Sequence, residues 1–125
     1  QRAFRLITEA LSLEPETAPT LDSLGWFYYK KGDFRRAREY LYQAAALMAR
    51  PDAEILDHLG DTAYRLGRPE QARHYWRLAQ QDLQERVVGE KYLAADLEEI
   101  TRKLTQLEAG QAVPVAATEA DSGAN

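Results

Sequence analysis

The chain carries Leu21-Asp22-Ser23-Leu24-Gly25, and 35 residues later it carries Leu56-Asp57-His58-Leu59-Gly60. At this offset further residues pair with their spacing unchanged: Tyr29 with Tyr64, Gly32 with Gly67, Ala37 with Ala72, Tyr40 with Tyr75, and Ala44 with Ala79. So many matches at one offset indicate an internal repeat, and repeats of about 20–50 residues are typical of stacked supersecondary units. A partial copy at an offset of 34 precedes them, with Ala3, Ile7 and Ala10.

Each repeat predicts two helices. The first helix of the first repeat has its predicted core residues at i, i+3, i+4 and i+7, namely Leu21, Leu24, Gly25 and Tyr28. This spacing places them on one helical face. Gly32 and Gly67 are predicted to end the first helices in the left-handed conformation. Asp33 is suited to cap the next helix, and Pro69 is suited to the first helical turn.

The second helices carry apolar residues at i, i+4 and i+7, namely Ala37, Leu41 and Ala44, then Ala72, Trp76 and Ala79. Small residues allow two helices to approach closely, and the larger ones fill the remaining space. The expected fold class is therefore all-α, a right-handed α-solenoid of antiparallel helix pairs.

These residues resemble the tetratricopeptide repeat family. The resemblance covers residues 1–83, and it rests on the following residues: Leu24, Gly25, Tyr28, Gly32, Ala37, Leu41 and Ala44, with Leu59, Gly60, Gly67, Ala72, Trp76 and Ala79. The chain departs from the family pattern by Leu21 and Leu56 in place of a tryptophan, by Ala63 in place of a tyrosine, and by a displaced closing proline, Pro51. The resemblance implies a scaffold or adaptor that binds proteins.

A finer resemblance spans roughly residues 10–80. The segments 22–26, 51–55 and 58–60 are similar to the C-terminal region of proteobacterial tetratricopeptide lipoproteins, one group of which resembles a periplasmic adaptor of a processing protease. This similarity implies an adaptor role and a location in the bacterial envelope, with the cytoplasm as the alternative.

The predicted organisation has five segments. They are the second helix of a partial repeat at 1–17, repeat units at 18–51 and 52–86, a C-terminal amphipathic capping helix at 90–108, and a disordered tail at 109–125. The tail prediction follows from the lack of large apolar residues after Gly110. The capping helix has an apolar stripe of Leu93, Leu97, Ile100, Leu104 and Leu107. Covering the last repeat is the favoured role of this stripe, and pairing two chains into a homodimer is the alternative.

Composition excludes several classes of function. The chain has 125 residues, no cysteine and a net charge of −4, so it has no disulfide, thiolate nucleophile or cysteine-bound zinc. The acidic balance argues against nucleic acid as a partner. No apolar run approaches the ~20 residues of a membrane span, so membrane insertion is not expected. The basic run Arg35–Arg38 is interpreted as a solvated outer face, with a weak surface for acidic partners as the alternative.

No catalytic or metal-binding motif is present in the sequence. His58 and His74 lie 16 residues apart without the spacing of metal ligands. Asp57 and Asp61 are one helical turn apart beside His58, and we interpret them as a solvated helix face rather than a ligand cluster. We therefore expect no cofactor, no metal and no enzymatic activity.

The face of the first helices opposite the core is the predicted binding groove. Its residues are Asp22, Trp26, Tyr29, Lys30, Asp57, Asp61, Tyr64 and Arg65. Trp26, Tyr29 and Tyr64 suit the burial of an apolar or extended peptide. Packing of Trp26 and Tyr29 on a preceding repeat or on the C-terminal stripe is an equally weighted interpretation. Some tetratricopeptide repeats clamp a terminal carboxylate, but the acidic residues here disfavour that ligand.

The sequence thus predicts a non-enzymatic protein-interaction module that binds a peptide or protein segment in its groove. Two alternatives stay open: a homo-oligomerisation element that uses the 93–107 stripe, and a regulatory or accessory domain of a larger enzyme.

Overall fold

The computed structural model describes residues 17–86 and 93–122, so the partial repeat predicted before residue 17 lies outside the described residues. These residues contain helices and no strand. The helices are α1 Ala18–Lys30, α2 Phe34–Ala46, α3 Ala53–Arg65, α4 Pro69–Arg86, α5 Ala94–Glu108 and α6 Glu119–Ser122. The predicted all-α class of paired helices is confirmed. Residues 17–51 and 117–122 belong to one compact unit, and 52–86 and 93–116 belong to a second.

Side-chain caps begin three of the helices. Asp33 and Asp52 accept hydrogen bonds from the main-chain amides at the third position of α2 and α3, at 3.3 and 3.0 Å. Thr17 forms a reciprocal capping box with Thr20 at the start of α1. Pro69 is the first residue of α4, where its missing amide proton costs nothing.

The predicted helix ends are confirmed at both glycines. Gly32 has a φ of +85° and Gly67 a φ of +73°, conformations that glycine adopts without steric cost. The amide of Asp33 donates to the carbonyl of Tyr28, and the amide of Arg68 donates to that of Ala63. These bonds satisfy carbonyls at the ends of α1 and α3.

The first unit packs α1 against α2 through the predicted small residues. Gly25 is buried, and a Cβ built on it would lie 2.9 Å from Cγ of Leu41. The prediction of Tyr28 as a core residue is wrong, because Tyr28 is half-buried and stacks on Tyr40 at 5.5 Å. Tyr29 is the buried tyrosine instead, since it lies two turns beyond Leu21 on the same stripe as Gly25.

The second unit packs α3 against α4, and α5 packs against α4. The five residues of the α5 stripe all join this unit's core: Leu93, Ile100 and Leu104 are buried, and Leu97 and Leu107 are partly buried. A helix at 94–108 thus lies within the range of 90–108 predicted for the capping helix. The residues predicted for a homodimer seam lie against the core of their own unit.

The segment that follows α5 differs from the predicted disordered tail. Val113 is 5% exposed and belongs to the core of the second unit, and Val115 packs against the same core. The segment lacks large apolar residues, which is why the sequence predicted disorder. A buried valine and several main-chain hydrogen bonds hold it instead. None of the helices in the described ranges combines the length and the apolar composition needed to cross a bilayer.

Candidate peptide-binding site

In the first unit the predicted groove residues make aromatic contacts with one another. The rings of Trp26 and Tyr29 are stacked, with centroids 4.3 Å apart, and Tyr29 also meets the edge of Phe34. Tyr29 is 0% exposed, so its prediction as an exposed anchor is wrong. Trp26 and Asp22 are half-buried. The ammonium of Lys30 lies 5.6 Å from the Trp26 ring centroid and donates to the carbonyl of Ala117 at 3.1 Å.

In the second unit Asp61 lies in the core. It is 2% exposed, and its Oδ1 accepts from the ammonium of Lys103 at 2.7 Å and from the indole of Trp76 at 3.2 Å. Asp57 is half-buried and accepts from the same ammonium at 2.8 Å. The interpretation of these aspartates as a solvated face is therefore wrong for Asp61. Lys103 of α5 holds both carboxylates from the neighbouring helix.

The ion cluster, defined as Asp57, Asp61 and Lys103, shifts the pKa values of Asp57 and Lys103. Burial and the neighbouring Asp61 carboxylate raise the pKa of Asp57, and they outweigh the ammonium, which lowers it. Burial alone would lower the pKa of Lys103, but the two carboxylates raise it above its ordinary value of 10.5. Lys103 is thus held as a buried cation, and its ammonium also lies 5.7 Å from the Trp76 ring centroid.

The strap, defined as residues 111–116, lies on this unit and is held by its main chain. The amide of Val113 donates to the hydroxyl of Tyr64 at 2.9 Å. The amide of Ala116 donates to Oδ2 of Asp61 at 3.1 Å. Side chains of α3 therefore accept hydrogen bonds from main-chain amides of the strap, as a peptide-binding site does.

Two arginines bind the carbonyls of the strap. Arg65 of α3 donates to the carbonyl of Ala116 at 2.9 Å, and Arg102 of α5 donates to that of Pro114 at 3.0 Å. Side chains from α3 and α5 therefore supply two donors and two acceptors to four strap groups. Such bonds fix the position and direction of a chain and depend little on its side chains.

From residue 112 to residue 115 the strap's side chains alternate in burial. Val113 is buried and Val115 is partly buried, whereas Ala112 and Pro114 are exposed. A period of two is that of an extended chain, in which successive side chains point to opposite sides. The unit thus combines main-chain recognition with an apolar pocket for one valine.

Sequence analysis missed Lys103 and Arg102 at this site, and it missed Asp82, which binds the first residue of α3. Lys103 occupies a core position in α5, three residues after Ile100, and a cation in an apolar stripe signals a buried ion pair. Arg102 was not distinguished from ordinary surface charge. Asp82 of α4 is 7% exposed and accepts from the amide of Ala53 at 3.0 Å, where no sequence motif marks it.

Comparisons with known proteins agree with this architecture. A family model described as a tetratricopeptide repeat matches residues 17–50, which hold α1 and α2. Residues 17–50 are therefore similar to a tetratricopeptide repeat. A curated TPR repeat-containing protein of Pseudomonas aeruginosa is 42% identical to it over 59 residues, 47% of this chain. The chain spans 10% of the length of that relative.

Tetratricopeptide repeats generally mediate protein–protein interaction, and proteins built from them are typically non-enzymatic scaffolds. In this chain the position of Trp26 in the matched repeat corresponds to Asp61 in the second helix pair, at the 35-residue offset. The second pair therefore keeps the small residues of the repeat and places a buried carboxylate where the first pair has an aromatic ring.

Proposed function

We propose that this chain is a non-enzymatic protein-interaction module that binds an extended protein segment on α3 and α5 of the second unit. The single observation that carries the proposal is the strap: four side chains bind the main chain of an extended segment there. Three of the four, Asp61, Tyr64 and Arg65, are predicted groove residues, and the fourth is Arg102.

The remaining groove residues enter the proposal with different roles. Asp61 contributes through one carboxylate oxygen, while its other oxygen stays with Lys103. In the first unit Lys30, which matches Arg65 in the repeat, donates to a main-chain carbonyl as well. Lys30, Trp26 and Asp22 therefore remain proposed contact residues of that unit.

The observations favour this function over the two alternatives. A homodimer through the α5 stripe would require Ile100 and Leu104 to leave the core, where they are 3% and 6% exposed. No feature of the described residues points to an enzyme partner in particular. A regulatory role in a larger complex is contained in the proposal, since such a role also requires a bound protein segment.

A phage-displayed library of random short peptides, selected on the full chain, tests the function. We expect enrichment of uncharged extended sequences, because the site offers one apolar pocket and main-chain bonds. Binding should fall in Arg65→Ala, which removes a donor to a peptide carbonyl. It should stay unchanged in Arg38→Ala, whose guanidinium lies over Tyr42 in the first unit.

Selection without enrichment would contradict the proposal. Equal binding of the enriched peptides to wild type and Arg65→Ala would contradict it as well, because those peptides would bind elsewhere. Circular dichroism of both variants should show unchanged helix content, since Arg65 and Arg38 are half-buried and lie outside the core.

A further inference from the structure

We infer that the strap is an internal ligand of the binding site and that partner segments must displace it. The inference rests on the proposed function and names its regulation and its ligand class. The groups that would bind a partner's main chain are the same groups that bind Val113, Pro114 and Ala116. Partner and strap therefore exclude each other.

The strap is held lightly compared with a helix of the core. Only Val113 among its six side chains is buried, and Val115 and Ala116 are half-buried. Ala112 and Pro114, the strap residues on either side of Val113, are exposed. The strap therefore resembles a bound peptide in its contacts more than it resembles a core element.

The strap leaves α5 at a left-handed glycine, Gly110. Gly110 has a φ of +73°, and a Cβ built there would meet no atom within 4 Å. Glycine adopts this conformation without steric cost, so Gly110 ends α5 as Gly32 ends α1. The last turn of α5 is closed by bonds from the amides of Ala109, Gly110 and Gln111 to carbonyls of α5. The strap can therefore detach from residue 112 onward without breaking a bond of that turn.

The strap's sequence defines the chemistry of the partner. Residue 114 is a proline, which has no amide proton, and the site binds only its carbonyl. A partner can therefore have a proline at this position. The position of Val113 requires a small apolar side chain, because a charge would be buried without a partner. The partner segment is therefore an extended, uncharged peptide with a β-branched residue at the buried position and small residues after it.

The test uses a fluorescent synthetic peptide with the sequence of residues 110–118 and the full 125-residue chain. Val113→Asp weakens the strap in the chain, while the peptide keeps its valine. Ala112→Asp is the matched control, since it adds the same charge at the adjacent, exposed position. We expect the peptide to bind Val113→Asp about tenfold more tightly than wild type, because the fraction of open sites rises. Ala112→Asp should match wild type.

The combination of Val113→Asp with Arg65→Ala should lose the gain, which locates the peptide on the site. If Val113→Asp loses helix content, Val113→Thr replaces it, because threonine keeps the shape and adds one buried hydroxyl. Equal affinities in wild type and the strap variant, both dependent on Arg65, would overturn the inference and leave the proposed function intact. Tighter binding that does not depend on Arg65 would overturn it too.

Light scattering on the same samples tests whether the strap of a second copy of the chain, rather than the chain's own strap, occupies the site. We expect wild type and Val113→Asp to have the same mass. A wild-type dimer that dissociates in Val113→Asp would place the strap of a second copy on the site and would overturn an internal ligand.

Discussion

The first helix pair keeps its tryptophan on α1, whereas the second keeps it on α4. In the first pair Trp26 stacks on Tyr29, and Gly25 faces Leu41. In the second pair Trp76 fills the space in front of Gly60, and a carboxylate stands where the first pair has Trp26. The helix ends and small residues are alike in both. The same helix-pair backbone therefore surrounds an aromatic stack in the first pair and a buried carboxylate in the second.

The difference determines what each pair can receive. The stacked rings of the first pair contact each other and have few hydrogen-bonding groups for another segment. A buried carboxylate has several acceptor positions, and Asp61 uses them for Trp76, Lys103 and the amide of Ala116. In the second pair Asp61 therefore binds both α5 and the strap.

The largest effect is expected for Asp61→Ala. The change leaves the buried Lys103 with one carboxylate and removes the acceptor for Trp76, so unfolding of the second unit should be easier by about 3–5 kcal/mol. Urea unfolding followed by Trp76 fluorescence in a Trp26→Phe background measures it. Asp57→Asn is the control, with an expected loss of about 1 kcal/mol. Equal losses for both variants would show that Asp61 is not the centre of the cluster.

Gly60→Ala should cost more than Gly25→Ala. The Cβ at Gly60 would lie 2.3 Å from the Trp76 ring, while that at Gly25 would lie 2.9 Å from the more pliable Leu41. We expect about 2–3 kcal/mol at Gly60 and about 1 kcal/mol at Gly25, because overpacking forces side chains from their rotamers. The same urea measurement gives both values. A larger loss of stability at Gly25 than at Gly60 would mean that α3 and α4 do not approach each other more closely than α1 and α2 do.

Gly32→Ala and Gly67→Ala should have equal effects. Both glycines have a positive φ and open space around them, so the cost is one of backbone strain, about 1 kcal/mol each. Thermal unfolding by circular dichroism checks this. A large difference between the two variants would show that the helix ends are not equivalent.

The smallest expected effect is a pH dependence from Asp57. A carboxyl whose pKa is raised in the folded state binds its proton more tightly there than in the unfolded chain. Its contribution to stability is therefore greatest below the ordinary value of 3.8 and declines as the pH rises through the raised value. The stability of wild type relative to Asp57→Asn should fall as the pH rises above 3.8. A relative stability that rises over this range would contradict the raised pKa.

The sequence predicted what depends on neighbours along the chain. Gly32, Gly67, Asp33 and Pro69 act on their own helix ends, and each was predicted correctly. Tyr28 and Tyr29 differ by one position on a helix, and the core stripe is wide enough to make that choice depend on the partner helix. The burial of Asp61 depends on Lys103, 42 residues away, and no local pattern shows it.

The strap was missed for the same reason. Its attachment comes from side chains on α3 and α5, while its own residues are small and resemble those of a flexible tail. A segment that is bound mainly by its main chain leaves little trace in its sequence.

Amide hydrogen exchange on the full chain, followed residue by residue by NMR, tests the central claim most directly. The amides of Val113 and Ala116 should be protected, because they donate to Tyr64 and Asp61. In Asp61→Asn the protection of Ala116 should fall. Exchange of both amides at the rate of an unstructured peptide in the wild-type chain would contradict a strap bound to the second helix pair.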